Sequence, residues 1–372
     1  MFPLSKGRVA KQAHVGLPEG TFEEEHGREA FLGRASHLYR THPPTAWIAI
    51  GGPLQPRAYD LNGVKPADLA DASGDWQRIL WNEDLAIFVS RRREPTLWFL
   101  RDADGDLCYF VHVGSGTLET DYGPLGYRAG DFLVVPKGTT HRLVPEDGSD
   151  SFLYVVESGG EYRLPDKGIL GRHALFDPGV LEVPEPDPHD EEGRFEVRVK
   201  RGNEYTSLTY PYHPLDVVGW QGDLCPLRLN VEDFRPVVSP RYHLPPSVHA
   251  TFVSDGFEIG TFAPRPTETG DPTALRVPFF HSNIDKDEVL FYHRGQFFSR
   301  AGIGEAFITH HPQGLHHGPQ AAAIEASKTK EFADEYAIMV EADRPLSRDD
   351  ALADVEIEGY ATSWARGLGL ID

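Results

Sequence analysis

The chain has few cysteines, few methionines and no long run of apolar residues. Two of its 372 residues are cysteine and two are methionine. Cys108 and Cys225 cannot supply a disulfide framework or a four-thiolate zinc site, so we expect two buried, free thiols. No stretch reaches the roughly 20 apolar residues that a membrane-spanning helix needs. We therefore expect a protein of the reducing cytoplasm with no membrane partner.

Positive charge is also scarce. Lysine and arginine number 36 against 57 aspartate and glutamate residues, which gives a net charge of −21. Phosphate groups and anionic lipid headgroups would be repelled by this balance. The composition therefore argues against nucleic acid or a membrane surface as the main partner.

Glycine and proline are abundant and spread along the chain, with 37 and 30 residues. Such punctuation is typical of many short strands rather than of long helices. Apolar, β-branched runs recur between residues 85 and 156 and again between residues 252 and 340. Few helices are expected, and residues 320–330 and 348–355 are the best candidates.

The two series of strands are separated by a segment rich in proline and acidic residues, from 177 to 192. Such a composition indicates an exposed linker or long loop. We therefore predict an all-β protein with two barrels and few helices. The expected division is an N-terminal β domain at 1–176, a linker at 177–204 and a C-terminal β domain at 205–372.

Many of the 17 histidines lie between His243 and His317. Within this region, His281, Glu288 and His317 offer a metal two imidazoles and one carboxylate, the set that non-haem Fe(II) oxygenases use. A turn at residues 285–287 would return Glu288 on the next strand. Adjacent strand residues point to opposite faces, so His316 should face away from His317. For the same reason, only one of His310 and His311 can face the site.

Two sequence signatures resemble those of the cupin superfamily. Pro-x-Gly-x-x-His occurs at residues 136–141 and again at residues 312–317. The second half also contains His281-x-Asn283-x-x-x-x-Glu288, in which Asn283 stands where the usual pattern has histidine. The chain thus resembles a bicupin, built from two double-stranded β-helices. In the first half only His141 matches a metal position, so we expect a metal-free first barrel.

Within the bicupins, the chain resembles the homogentisate 1,2-dioxygenase family over most of its length. The resemblance is carried by a combination of blocks: residues 102–106, 216–222, 226–234, 278–281, 294–295, 317–319 and 325–328. It implies that His281, Glu288 and His317 hold Fe(II). One extra residue separates His281 from Glu288 relative to the family pattern, so Asp287 is the alternative carboxylate.

The same resemblance implies roles for four further residues. His243, in His-x-x-Pro-Ser, matches the family's acid–base histidine, although a simple loop histidine is an equal alternative. His311 and Asn283 are candidates for orienting an intermediate or a metal ligand, and we class both as substrate-binding. Phe297 stands where the family has a substrate-binding tyrosine. Loss of that hydroxyl would change the substrate preference.

The expected function is Fe(II)-dependent ring cleavage by dioxygen of homogentisate or a related substituted hydroquinone, giving a maleyl-type product. The resemblance also implies a homo-oligomer, trimeric or hexameric. Three alternatives remain open from the sequence, because cupins host many functions. They are a dioxygenase for another hydroxylated aromatic acid, a non-catalytic bicupin that binds a small molecule, and a cupin isomerase or hydrolase that uses another divalent metal.

Overall fold

The computed structural model describes residues 4–146, 148, 150–202, 204–276, 279–297, 299–300 and 302–372. The described residues form 24 strands and three short α-helices. In chain order the strands are β1 Phe22–Gly27, β2 Ala35–Arg40, β3 Arg57–Asp60, β4 Gln77–Trp81, β5 Leu85–Arg92, β6 Phe99–Asp102, β7 Asp106–Val113, β8 Ser115–Thr120, β9 Leu125–Arg128, β10 Asp131–Val135, β11 Thr140–Pro145, β12 Ser151–Ser158, β13 Glu192–Arg201, β14 Glu204–Tyr212, β15 Leu227–Asn230, β16 Ala250–Ser254, β17 Phe257–Phe262, β18 Arg265–Pro266, β19 Phe280–Asn283, β20 Asp287–Gly295, β21 Phe307–His311, β22 Phe332–Ala333, β23 Glu335–Ala342 and β24 Ser347–Arg348.

The helices are few and short. The α-helices are α1 Ala67–Ala70, α2 Ala321–Ser327 and α3 Ser363–Gly367, and the 3₁₀ turns are Leu61–Gly63, Gly168–Leu170, Pro178–Val180, Val231–Asp233, Pro246–His249, Asp350–Val355 and Tyr360–Thr362. None of the described helices has the length and apolar character needed to cross a membrane.

The first barrel is formed by two large sheets. Their strand orders are β15-β10-β7-β12-β5-β4-β24 and β14-β13-β6-β11-β8-β9. The sequence of strand β7 is an almost unbroken apolar run because both faces of the strand are buried. Tyr109 and Val111 pack into the core inside this barrel, whereas Cys108 and Phe110 face the opposite way. A strand buried on both faces has no polar side to alternate with.

The second barrel contains a six-stranded sheet, β16-β17-β23-β20-β21-β3, and two smaller sheets, β19-β1-β2 and β18-β22. The two barrels share one apolar core. Phe291 of β20 stacks on Tyr154 of the first barrel with 4.6 Å between ring centroids, and its ring also meets Phe110. The opposite face of β20 carries Glu288 and Tyr292 into the interior of the second barrel.

The all-β bicupin expectation is confirmed, and the expected strands of both series are present. The helix expected near residues 320–330 is α2. The segment expected as a helix at 348–355 is mostly a 3₁₀ turn instead, Asp350–Val355. Cys108 is buried as expected, but Cys225 is partly exposed.

Strand pairing crosses the domain boundaries that the sequence indicated. Strand β1 lies parallel to β19, and β3 lies antiparallel to β21, so the first 60 residues complete the second barrel. Conversely, β15 joins the first barrel beside β10. The last part of the expected 177–204 linker is strand β13, which pairs with β6 and β14. The acidic, proline-rich segment ends where β13 begins, so the part of the expected linker from residue 192 onward is a paired strand instead.

A buried pair of histidines lies at the edge of the core that the barrels share. Nδ1 of His112 on β7 is 2.9 Å from Nδ1 of His293 on β20. Burial lowers the pKa of His112 to about 4, with a further contribution from Arg91. Burial and then the charge of His112 lower the pKa of His293 to about 3. Both rings are therefore neutral in the folded protein near neutral pH.

Acid should therefore weaken the folded state through this pair. Below pH 6.5 the unfolded chain binds protons at both histidines and the folded chain does not, so stability falls as the pH falls toward 4. The slope is up to about 1.4 kcal/mol per pH unit for each histidine. Urea unfolding at pH 7.5 and 5.0 would measure it. The double variant His112→Gln/His293→Gln should lose less stability between these pH values than the unmodified chain, and an equal loss would contradict the assignment.

Candidate metal centre

Three separate segments bring the expected ligands together. His281 lies on β19 and Glu288 on β20, joined by a bend at residues 284–285. His317 follows β21, and its backbone exchanges two hydrogen bonds with that of His281, at 2.9 and 3.0 Å. Such a reciprocal pair places the two side chains on the same side. Gly318 makes this approach possible, because a Cβ there would lie 2.7 Å from Cα of Phe280.

The ligand atoms converge in a buried cluster. Nε2 of His281 and Nε2 of His317 lie 3.7 and 3.6 Å from the same carboxylate oxygen of Glu288. Nδ1 of His281 donates to the carbonyl of Phe279 at 3.1 Å, and Nδ1 of His317 donates to the carbonyl of Leu315 at 3.1 Å. In each ring the proton therefore resides on Nδ1, and Nε2 presents a lone pair to the centre.

The two Nε2 atoms give the best physical test of whether a metal fits. Both are buried and neither has a hydrogen-bond partner. A buried nitrogen without a partner is costly, whereas a cation held between the two imidazoles and Glu288 would engage both. The donors are nitrogen and carboxylate oxygen, the set found with iron, zinc and related divalent metals. The residues therefore fit a resident divalent cation.

Glu288 remains ionised although it is fully buried. Burial alone would raise the pKa of its carboxyl group. The charge of His317 and the hydrogen bond from His311 outweigh burial and hold this pKa well below its usual range. Burial, followed by the charge of His281, lowers the pKa of His317 to about 4. The cluster thus combines one anionic ligand with an imidazole that is neutral at neutral pH.

His311 holds the carboxylate of Glu288 rather than facing the cavity. Its Nδ1 lies 2.7 Å from Oε1 of Glu288, and its Nε2 lies 2.9 Å from the hydroxyl of Tyr360. Burial, with the charge of His317, lowers the pKa of His311 to about 3, so the ring is neutral. A carboxylate can only accept, so Nδ1 donates to Glu288 and Nε2 accepts from Tyr360. The expectation that His311 binds substrate does not match this placement, because its ring is enclosed between these two partners.

The neighbouring candidates lie on the other face of their strands. Asp287 accepts from the backbone amides of Gln313 and Leu346, both at 2.9 Å, and it pairs with Nε2 of His310. Nε2 of His316 lies 2.8 Å from a carboxylate oxygen of Glu24. Alternation along the strands thus places Glu288 and His311 on the side of the ligand cluster, and Asp287 and His310 on the other side.

A cavity of about 60 Å³ opens beside the ligand cluster. Among its lining residues are His243, Phe279, His281, Glu288, Tyr292 and Arg300. Nδ1 of His243 lies 2.8 Å from the carboxylate of Glu268. The acceptor-only carboxylate fixes the proton on Nδ1 and leaves Nε2 able to accept one. His243 is thus a cavity-lining histidine whose ring is oriented by Glu268.

Arg300 is a buried cation in the cavity wall. One of its terminal nitrogens donates to the carbonyl of Gly318 at 2.7 Å, while Nε is buried without a hydrogen-bond partner. Within the described part of the chain, no carboxylate lies within 4.0 Å of its guanidinium. The other cavity arginine, Arg265, is paired with Glu335 at 3.1 Å. Arg300 thus retains unsatisfied donor capacity beside the cavity.

Two other sequence candidates lie outside the cavity lining. Asn283 is buried on β19, and its amide nitrogen has no hydrogen-bond partner. Phe297 packs behind the wall, with its ring 5.0 Å from that of Tyr292. Neither is among the described residues that line the cavity, so the geometry does not bring either one to a substrate directly. Phe297 would act on a bound molecule through the cavity-lining residues that it packs with, such as Tyr292 and Ala337.

Several groups around the centre were not found by the sequence reasoning. Glu341 pairs in register with Glu288, and burial followed by the charges of Glu258 and Glu288 raises its pKa well above the usual range. Its position inside an apolar strand, Met339-Val340-Glu341-Ala342, was a signal that could have identified it. Tyr360 and Arg300 lie in segments whose sequence has no pattern that would indicate a site residue.

In the first barrel the matching histidine is already satisfied. Nδ1 of His141 donates to the carbonyl of Thr139 at 3.0 Å, which repeats the arrangement of His281 and His317. Its Nε2, however, lies 2.8 Å from the hydroxyl of Tyr109. Tyr109 precedes Gly116 by seven residues, as Glu288 precedes Gly295, so the two occupy matching positions in the cupin pattern. A hydrogen bond thus engages the nitrogen that is left without a partner in the second barrel.

An all-β bicupin with a buried two-histidine, one-carboxylate cluster defines the class of protein. A model of the homogentisate 1,2-dioxygenase N-terminal family matches residues 80–231. A Saccharolobus solfataricus protein named "Putative dioxygenase" is 33% identical over 98% of this chain and 99% of its own length. The chain belongs to the homogentisate 1,2-dioxygenase family.

More distant relatives carry the family name itself. The homogentisate 1,2-dioxygenase of Rhodopseudomonas palustris is 26% identical over 72% of this chain and 62% of its own length. That of Bradyrhizobium diazoefficiens is 26% identical over 62% of this chain and 53% of its own. The chain thus matches little more than half the length of these two relatives.

The solved structures that resemble the chain are only distantly similar. The protein Ylba of E. coli is 9% identical with a TM-score of 0.38, covering 81% of this chain and 96% of its own. A cupin 2 conserved barrel domain protein of Leptotrichia buccalis is 8% identical with a TM-score of 0.34, covering 77% and 96%.

Replacement of His311 by alanine should weaken metal binding, although the three metal ligands stay the same. In His311→Ala the carboxylate of Glu288 loses its hydrogen-bond donor, and loss of such a partner typically lowers metal affinity about 10- to 100-fold. Competition with a chelator of known affinity would measure the change for Fe²⁺ or Co²⁺. His310→Ala is the matched control, since its side chain contacts Asp287 on the opposite face. Equal affinities in the two variants would count against the assigned role of His311.

Proposed function

We propose that this protein is an Fe(II)-dependent dioxygenase that cleaves the ring of homogentisate or a related substituted hydroquinone and gives a maleyl-type product. The observation that carries the proposal is the buried cluster of His281, Glu288 and His317 beside a cavity. In that cluster, Nε2 of each histidine has no hydrogen-bond partner and the carboxylate is ionised. Three protein ligands leave positions for a chelating substrate and dioxygen.

When bound, Fe(II) supplies the redox centre through which an electron-rich ring and dioxygen react. The protein residues supply binding and proton handling. Aromatic rings of Phe279 and Tyr292 form walls against which a flat ring can pack. His243, oriented by Glu268, accepts the phenolic proton at Nε2 as the substrate binds.

Arg300 gives the cavity a preference for an anionic substituent. Its guanidinium is desolvated, lines the cavity and lacks a carboxylate partner among the described residues. A substrate carboxylate would supply the missing charge partner through charge-assisted hydrogen bonds. This favours a hydroquinone that carries a carboxylate-bearing side chain.

The family resemblance also favours a cytoplasmic homo-oligomer, trimeric or hexameric.

Oxygen uptake tests the proposed reaction. Anaerobically purified protein, loaded with Fe²⁺, should consume dioxygen with homogentisate or another substituted hydroquinone. Glu288→Ala should lose iron and at least about 1,000-fold in turnover, because the site loses its only anionic ligand. Asp287→Asn is the matched control and should retain iron, since Asp287 lies on the opposite face. Iron binding without oxygen uptake on any hydroquinone would exclude this substrate class and favour a binding protein.

Arg300 can be tested by comparing charged and uncharged substrates. Arg300→Met should raise KM for homogentisate by about 10- to 100-fold, the usual effect of a lost hydrogen bond to a charged group. KM for methylhydroquinone, which has no carboxylate, should change little. The iron content must be measured in parallel, since Arg300 also holds the carbonyl next to His317. An equal rise in KM for both substrates would show a structural role only.

A further inference from the structure

A second cluster of metal-binding residues lies next to the first one, on the sheet β19-β1-β2. Glu25 of β1 is paired in register with His281 of β19 on one side and with His37 of β2 on the other. Residues that are paired across neighbouring strands project to the same face of a sheet. His281, Glu25 and His37 therefore form a row across one face, with the proposed iron ligand at one end.

His14 completes the second cluster from the loop that precedes β1. Its Nε2 is 3.8 Å from Oε2 of Glu25, and Nε2 of His37 is 3.2 Å from the same oxygen. The side chains of His14 and Glu25 are 5% and 9% exposed, and that of His37 is 27% exposed. The three ligand atoms lie within 4.8 Å of one another. The cluster is thus mostly buried but open at His37.

We propose that His14, Glu25 and His37 bind a second divalent cation of the Zn²⁺ type. Nitrogen and oxygen ligands at 2.0–2.1 Å in a tetrahedral site lie about 3.3 to 3.4 Å apart, between the two separations found here. Two imidazoles and one carboxylate are a common three-ligand set for zinc, with the fourth position left to water.

The surroundings of His14 are those of a metal ligand that is held from behind. The carboxylate of Glu23 accepts a hydrogen bond from the backbone N–H of His14 at 2.8 Å and lies 2.9 Å from Nδ1 of the same residue; it also accepts from the hydroxyl of Tyr39 at 2.8 Å. Carboxylates behind the ring nitrogen that does not bind metal orient many metal-bound histidines. His14 also has φ of 67°, in the left-handed region that non-glycine residues rarely adopt. A bound cation would help to hold this strained conformation.

Two other carboxylate-containing clusters do not offer such a site. Asp102, Asp104 and Glu157 surround the ammonium of Lys200, with 2.8 Å to Asp104, so a lysine already fills their centre. The cluster of His189, Glu191 and His213 lies near the surface, and Nδ1 of His213 accepts from a backbone amide. The His14 cluster is the better formed of these three.

The second cation would hold the loop that precedes β1 beside the candidate metal centre. The ring of His14 stacks on Phe279 at 4.1 Å between centroids, and Phe279 lines the cavity beside His281. A cation that links His14 to β1 and β2 joins three segments at this point. We therefore expect it to act as a structural staple, because binding to the folded state alone stabilises that state.

Metal stoichiometry tests this proposal. Chelator-treated protein, dialysed against excess Zn²⁺ and then against metal-free buffer, should retain two zinc ions per chain. His37→Ala and His281→Ala should each retain one. His26→Ala is the matched control, because His26 lies on β1 beside Glu25 but is exposed on the other face, and it should retain two. Glu25→Gln is a second, nearly isosteric variant and should also retain one if His37→Ala does not fold.

Thermal unfolding gives a readout that is independent of activity. In the His281→Ala background, Zn²⁺ should raise Tm by several degrees through the second site alone. In His281→Ala/His37→Ala this increase should disappear. A single zinc ion that is lost in His281→Ala and kept in His37→Ala would overturn the second site. A single ion with the opposite pattern would support the second site and overturn the proposed iron centre.

Discussion

The strict alternation of side chains along β20 is the constraint on which the rest of the structure depends. Glu288 and Tyr292 face the interior of the second barrel, whereas Val289 and Phe291 face the core that both barrels share. A shift of register by one residue would place a carboxylate in the shared core and a phenylalanine among the ligands. The contact between the barrels and the candidate metal centre therefore fix one another. Burial of Phe291 against Tyr154 holds Glu288 in position.

Around Glu288, hydrogen bonding assigns a single role to each polar group. Backbone carbonyls accept hydrogen bonds from Nδ1 of His281 and of His317, and Glu288 accepts one from Nδ1 of His311. The low dielectric of the interior strengthens these bonds and makes an unpaired group expensive. Burial, followed by the charges of Glu258 and Glu288, raises the pKa of Glu341 well above its usual range, which disfavours a second negative charge beside Glu288. The centre thus has one anion and ring nitrogens oriented toward the same point.

The sequence predicted what depends on local periodicity. The strands and the turn after β19 follow from patterns over a few residues, whereas the choice of Glu288 over Asp287 came from the family resemblance. Contacts between distant segments were not predictable in this way. Tyr360, Arg300 and His14 reach the site from segments with no signal of their own, and pairing of β1 with β19 joins residues more than 250 positions apart. The assignments of His311, Asn283 and Phe297 came from family resemblance, which indicates proximity to a site but not which partner a side chain contacts.

The parallel pairing of β1 with β19 has a consequence for how the chain is made. The strand that pairs with Phe22–Gly27 is translated some 250 residues after it. At bacterial or eukaryotic rates of about 5–20 residues per second, this delay is on the order of 10 to 50 seconds. During that time a strand with three consecutive glutamates has no partner on that edge, and their mutual repulsion disfavours pairing with the wrong edge. The same acidic run that supplies Glu25 to the candidate second cation would thus protect the nascent chain from premature association.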